Sequence, residues 1–415
     1  MTLFPSNTGL RAYLALSPVI ALVAKPLLRR RIKRGKEDPR RWREKCGVAS
    51  CDRPQGRLVW LHAVGLGETL ALRGLIAMMQ THDPALQFLI TSTTWKSAQA
   101  IAHQMPPQTV HQYLPLDAPA YLRKFLDHWR PDIAIWTEQD IWPGMVAECA
   151  TRNIPQAIVA GRLSASGTAN RTILRGIYRT IYRTMAFIAV QDTASQTNFR
   201  KLADVESSVR GSLKPAAPAL TCTVAEQISL QHRLANRLVW IAASTHPADE
   251  EIVIAAHARV LQSTPDALLI IAPRFSDRPL PDGPHIIRRT QHRAPDPDTR
   301  IWIADTTGEM GLFYALAQAA YIGGTNDTTQ GHNPWEAINL GLPVLHGPCT
   351  ENFTDDFARL GAHALATQIT APDQIATWLL TPRPQQQDAL IQLKAQIKAD
   401  IDLLATDLLS LVRTP

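Results

Sequence analysis

Residues 301–348 read IWIADTTGEMGLFYALAQAAYIGGTNDTTQGHNPWEAINLGLPVLHGP, and they leave the chain little choice of fold. An apolar run at 301–304 ends at Asp305. Thr306, Thr307 and Gly308 then precede a helical pattern over 309–320. A second apolar run stops at Gly323-Gly324, GHNPWEA opens another helix, and a third run, 343–345, closes at Gly347-Pro348. Strand, helix, strand, helix, strand in so short a span means parallel β-α-β units. In such sheets ligands sit beyond the C-terminal ends of the strands, where every polar cluster of this stretch falls. Small residues at a helix start leave N–H groups to hold an anion, and the helix dipole adds to the attraction. This singles out Gly308, Glu309 and Met310. Glu336, one turn into the next helix, is placed to accept from sugar hydroxyls. The layout suits a nucleotide-sugar site; glycines in the tight turns of an ordinary α/β half-domain read the same way.

The N-terminal half follows the same rule. RLVWLHAVGLGETLALRGLIAMMQ gives a buried strand at 58–63, a glycine turn at Gly65 and Gly67, and a helix starting near Glu68. Further strands are expected at 113–116, at 133–136 followed by Glu138 and Asp140, ahead of Gly161-Arg162-Leu163-Ser164, and in AFIAVQD. The turn at 64–69 is not GxGxxG and lacks the acidic partner of a dinucleotide site. Around Gly211–Pro215 the pattern resets into a linker. A second sheet begins at 238–243, followed by Ser244-Thr245-His246, and ALLIIAPRFSDR ends a strand at Pro273-Arg274. The fold class is therefore α/β: two doubly wound parallel sheets, expected to face each other across a cleft as in GT-B glycosyltransferases. The expected division is 1–35 as membrane anchor and basic segment, 36–210 as acceptor domain and 211–415 as donor domain.

Composition narrows the class. A hydrophobic share of 45% with 19% charged residues is globular, not disordered. Five cysteines without a CxxC pair indicate neither a disulfide framework nor a zinc site. The net charge of +7 is concentrated at Arg29, Arg30, Arg31, Lys33, Arg34 and Lys36, which leaves about +1 elsewhere. Before that cluster, residues 12–24 are apolar and uncharged but interrupted by Pro18 and shorter than the ~20 residues of a spanning helix. An apolar segment ahead of a dense basic cluster predicts attachment at the cytoplasmic face of a membrane; a buried helix with a solvated basic turn is the alternative. The basic block lacks interleaved aromatics, so nucleic acid is not an expected partner.

Nine segments, in order, carry a resemblance: LHAVGLGET, WTEQDIWPGM, GRLS, GSLK, ASTHPADEE, IAPRFSDR, DTTGEM, GGTNDTTQGHNPWEA and GPCTENF. The chain resembles the Kdo (3-deoxy-D-manno-octulosonic acid) transferases from about Gly35 to about Leu360. The resemblance implies a CMP-Kdo donor, a lipid A precursor as acceptor, inverting transfer without metal or other cofactor, and work at the cytoplasmic face of the inner membrane. The family usually has serine where this chain has Gly65, and glycine where it has Gln330.

The chemistry assigns roles residue by residue. An acceptor hydroxyl must lose a proton as it attacks the anomeric carbon, and a carboxylate within reach takes it. Glu68 is the candidate base, with helix capping as its other role. Glu138 and Asp140 are candidate neighbouring carboxylates, or else caps and salt-bridge partners. Gly65, Gly67, Arg162 and Ser164 fall on the acceptor side. The leaving phosphate needs donors aimed at it, from Lys214, Arg274 and the 308–310 turn. Ser244, His246, Asn333 and Asn352 add polar contacts. No His/Asp/Glu set has metal spacing. Two other readings remain: a nucleotide-sugar epimerase working by elimination, which has no use for an anchor, and a non-catalytic lipid- or nucleotide-binding protein, which has no need of Glu68, Arg274 and Glu336.

Overall fold

The computed structural model describes residues 7–102, 104–138, 141–382 and 386–413. Two compact units make up the chain: Met1–Ala217 with Ile397–Pro415, and Pro218–Gln396. The first holds a parallel sheet of order β3-β2-β1-β4-β5-β6-β7. Its strands are β1 Leu58–His62, β2 Gln87–Ser92, β3 Thr109–Tyr113, β4 Ile133–Thr137, β5 Gln156–Gly161, β6 Phe187–Val190 and β7 Ser208–Val209. The second unit's sheet runs β10-β11-β9-β8-β12-β13-β14. Those strands are β8 Val239–Thr245, β9 Leu268–Pro273, β10 Ile286–Arg288, β11 Ile301–Ile303, β12 Ala320–Ile322, β13 Val344–His346 and β14 Ala366–Gln368. Each sheet reverses its winding once, between β1 and β4 and between β8 and β12. A doubly wound sheet opens its ligand crevice at such a reversal.

The apolar strand runs are explained by helices on both faces. In β1, Leu58 and Trp60 enter one core layer while Val59 and Leu61 enter the other. Trp60 packs against Phe125 and Trp136 with ring centroids 5.0 and 5.2 Å apart. Its indole N–H donates to Thr91 Oγ1 at 2.9 Å, so the buried ring leaves no polar group unmatched.

The third strand departs from expectation: it runs Thr109–Tyr113, not 113–116. Strands β1, β2, β4, β5 and β6 are marked by apolar runs, whereas this edge strand buries polar residues with partners. His111 Nε2 meets Ser92 Oγ at 2.9 Å, and Gln112 Oε1 accepts from Trp129 Nε1 at 2.8 Å. The short strands β7, β10 and β14 carry too little pattern to be read from sequence.

Residues 211–217 and 397–415 also fall in the first unit rather than the second. Leu213 belongs to its core. So do Ile401, Leu404, Ala405, Leu408 and Val412, one stripe of the long helix Gln387–Leu409 and the turn after it.

At the N-terminus, the helices Thr8–Leu16 and Pro18–Lys33 meet at a 45° bend. Among the described residues no single helix is long and apolar enough to cross a membrane; this bent pair passes by length and composition. Ala24 and Leu28 pack against Cys46, Ala118 and Tyr121. Leu16, Val19, Leu22, Val23 and Leu27 face outward, more than half exposed. Buried Glu37 fixes the end of the second helix by pairing with Arg31 Nε at 2.7 Å and Lys45 Nζ at 2.5 Å. Lys45 also donates to Thr93 O, just beyond β2.

Candidate active site

In the first unit, β1 and β4 deliver the candidate carboxylates to either side of the reversal point. Gly65 is the N-cap of the helix Leu66–His82, and the Glu68 carboxylate accepts from the Gly65 N–H. Thr69 Oγ1 donates to Gly65 O at 2.7 Å, closing the turn. A Cβ at position 65 would meet the Glu68 carboxyl, the far end of a flexible side chain that would have to shift to make room. Capping, one of the two roles open to Glu68, is thus observed. A carboxylate has lone pairs beyond the one a cap uses, so proton acceptance is compatible with it. A Cβ at Gly67 would meet open space.

Glu138 follows β4 with φ +55°, a left-handed conformation costly for a residue with a side chain. Lys214 Nζ and Gln191 Nε2 both lie 3.5 Å from its Oε1. Lys214 was expected to bind donor phosphate in the second domain. It lies instead in the first unit, where the turn Lys214–Ala216 packs on the Leu66–His82 helix and the ammonium pairs with Glu138. Asp140 lies outside the described residues. Ser164 caps the helix Ala165–Thr172, its Oγ accepting from Gly167 N at 3.0 Å, and Arg162 is half-buried one turn earlier.

His62, at the end of β1, escaped notice inside an apolar run. It is 1% exposed, its Nδ1 lies 2.9 Å from Thr91 Oγ1, and burial pushes its pKa down to about 4. Its carbonyl accepts from Thr137 Oγ1 at 2.8 Å, tying β1 to β4 below Glu138.

In the second unit the crevice is organised by Asp249, which sequence reading also missed. This fully buried carboxylate sits in the first turn of the helix Pro247–Ser263. It accepts from His246 N at 2.9 Å, Gly324 N at 2.6 Å and Asn326 Nδ2 at 2.9 Å. One side chain therefore joins the loop after β8 to the loop after β12, across the reversal point. Ser244 has φ +56°, breaking β8 at its register shift with β9.

The His246 and His332 rings stack, centroids 5.2 Å apart and 12° from parallel, with the two Nε2 atoms at 2.9 Å. One nitrogen donates and the other accepts. Burial, then the charge of Arg274, holds His332 down at about 4. Burial raises the Glu336 carboxyl above its usual range, opposed by a hydrogen bond from Asn333 and by the charge of Arg274. Asn333 Oδ1 also accepts from Trp335 N at 3.1 Å, so capping and site contact coexist. Arg274, His246, His332, Asn333 and Glu336 thus form one cluster at the sheet's C-terminal edge.

The remaining donor-side candidates have other commitments. Glu309 is paired with buried Arg289 at 2.5 Å, which holds its carboxyl below the usual range, and Arg289 also binds Glu226 at 2.7 Å. Its carboxylate braces the turn that contains Gly308 and Met310. Asn352 braces the loop before His332, donating from Nδ2 to Thr329 O at 2.7 Å.

Gln330, on that loop, has φ +66°. The glycine usual at this position has a conformational reason, and glutamine there carries about 1 kcal/mol of strain. Gln330→Gly is expected to raise the second unit's stability by about that amount, read as a higher urea midpoint at unchanged slope. An unchanged or lower midpoint would show that the glutamine side chain offsets the strain.

Comparison with known proteins follows the same lines. The model of the 3-deoxy-D-manno-octulosonic-acid transferase (kdotransferase) family matches residues 40–217. A probable mitochondrial 3-deoxy-D-manno-octulosonic acid transferase of Arabidopsis thaliana is 31% identical over 353 residues, covering 81% of this chain and 79% of that protein. The 3-deoxy-D-manno-octulosonic acid transferase of Rickettsia bellii is 28% identical over 377 residues, 89% and 90% of the two chains. Among solved structures, a UDP-GlcNAc 2-epimerase from Neisseria meningitidis shares the two-domain fold at TM-score 0.54 and 12% identity, covering 86% of this chain and all of that one. Fold and sequence together define a glycosyltransferase of two α/β domains. The chain belongs to the 3-deoxy-D-manno-octulosonic acid transferase family; it is a Kdo transferase.

Proposed function

We propose that this Kdo transferase takes its sugar from CMP-Kdo and passes it, with inversion and without a metal, to a hydroxyl of a lipid A precursor at the cytoplasmic face of the inner membrane. The observation that carries the donor reading is the cluster Arg274, His246, His332, Asn333 and Glu336 at the reversal point of the second sheet. CMP leaves as a phosphate monoester, and the Arg274 guanidinium meets the charge that develops as the bond from anomeric carbon to phosphate oxygen breaks. Glu336, kept partly from water, accepts from sugar hydroxyls. On the acceptor side Glu68 takes the proton of the attacking hydroxyl. The outward apolar stripe of the N-terminal helices and the exposed arginines at their end support work at an anionic lipid surface.

The test is nucleotide selectivity followed by product mass. CMP, but not UDP, is expected to raise the thermal midpoint. Incubation with CMP-Kdo and a tetraacylated lipid A precursor is expected to add the mass of one or more Kdo units. Equal protection by UDP, or no mass gain, overturns the assignment. Arg274→Ala is expected to weaken CMP binding about 10- to 100-fold, the worth of a hydrogen bond to a charged group. Calorimetry showing unchanged affinity would remove Arg274 from the site.

A further inference from the structure

Ile173 and Leu174 join the helices Ala165–Thr172 and Arg175–Tyr182, and they are 90% and 52% exposed. They are not overflow from a core stripe, because Ile177 and Ile181 already fill the inward positions of the second helix. Between Arg162 and Arg183 the chain has five arginines and no acidic residue. Arg175 follows the apolar pair and donates to the carbonyls of Leu202 and Lys201, Arg171 precedes it with Thr172 between and lies over the Tyr178 ring, and Arg179 and Arg183 share Asp204. This element also adjoins the N-terminal helices: Leu10 and Ile177 lie in one core cluster, and the Thr8–Leu16 helix packs on Arg175–Tyr182.

We propose that Ile173 and Leu174 form a second membrane contact, inserting into an anionic bilayer surface beside the N-terminal helices. The inference rests on the membrane reading above. An apolar tip on a stretch that carries arginines and no acidic residue fits acyl chains below and an anionic surface around it. It lies on the same unit as the outward stripe Leu16, Val19, Leu22, Val23 and Leu27, whose first helix packs on Arg175–Tyr182. Two contacts fix an orientation that one helix leaves free. The Ala165–Thr172 helix spans about 12 Å at 1.5 Å per residue, so the tip holds the turn carrying Arg162 and Ser164 that close to the lipid. A lipid acceptor then reaches the first sheet's C-terminal edge without leaving the bilayer entirely.

The test is flotation of the full chain with phosphatidylcholine vesicles, with and without phosphatidylglycerol. The unaltered protein is expected to float with the anionic vesicles. Joint Ile173→Ser and Leu174→Ser substitution is expected to weaken binding at least about tenfold, and Ile173→Phe with Leu174→Phe to restore it. Thermal midpoints should not move, since both residues are exposed. Joint Leu16→Ser, Leu22→Ser and Leu27→Ser substitution, which leaves the buried Leu10, Ala24 and Leu28 in place, is expected to leave weaker, salt-sensitive binding that adding Ile173→Ser and Leu174→Ser abolishes. If the unaltered protein does not float, the membrane reading itself fails and this inference with it. Should the Ile173→Ser, Leu174→Ser variant bind within twofold of the parent while the three N-terminal substitutions abolish binding, the anchor stands and the second contact is refuted. A dimer in vesicle-free buffer that the serine pair dissolves would make the patch a protein interface and overturn the proposal.

Discussion

Glu68→Gln is expected to lower turnover by roughly 10²–10⁴, the usual worth of a positioned base. The change keeps the side-chain volume and leaves an oxygen to accept from the Gly65 N–H, so the Leu66–His82 helix retains its cap. What disappears is the group able to receive a proton. Because proton removal belongs to the transition state, the loss falls on turnover, while CMP affinity by calorimetry stays at the parental value. Glu138→Gln is the control. Glu138 pairs with Lys214, and its neutralisation removes that ion pair while leaving Glu68 in place. Turnover abolished by Glu138→Gln but retained in Glu68→Gln would reverse the assignment.

The second large effect is expected at Asp249, which makes no chemical step. Asp249→Ala leaves the N–H groups of His246 and Gly324 and the amide of Asn326 without their acceptor. The buried Gly324 N–H costs about 1–3 kcal/mol when left unmatched and the half-buried His246 and Asn326 donors cost less, so about 2–3 kcal/mol is expected in total. For a domain of this size that corresponds to a midpoint lower by roughly 4–12 °C in calorimetry. CMP affinity is expected to fall as well, because the two loops that hold the stacked histidines lose their common brace. Asp249→Asn retains one acceptor oxygen and should lie between. A midpoint shift under about 2 °C in the alanine variant would show that water replaces the carboxylate and that the loops hold without it.

The residues the sequence exposes and those it hides differ in the range of their contacts. Strands such as Leu58–His62 and Leu268–Pro273 announce themselves because both faces are buried, and apolar composition is a local property. Glu68 and Arg274 can be placed for a related reason: each follows closely on a strand end, and parallel topology sends every strand end to one edge, whereas Glu336 is placed by the start of the helix Trp335–Asn339. Asp249 is hidden because its meaning lies in partners some 75 residues away. Lys214 was assigned to the wrong unit because a glycine-proline break marks a turn without saying which core the turn packs on. His111 and Gln112 hid β3, since hydrophobic periodicity does not register a buried polar side chain held by a hydrogen bond to a neighbouring element.

The return of Ile397–Pro415 to the first unit makes that unit discontinuous in the chain. Its core layer of Ile401, Leu404, Ala405, Leu408 and Val412 is supplied only after the entire second unit has been synthesised. During translation the Leu66–His82 side of the first sheet therefore waits with an open apolar slot, while Pro218–Gln396 can complete its own sheet. The first unit is the last to close, and a chain cut anywhere in the second unit would release it unfinished.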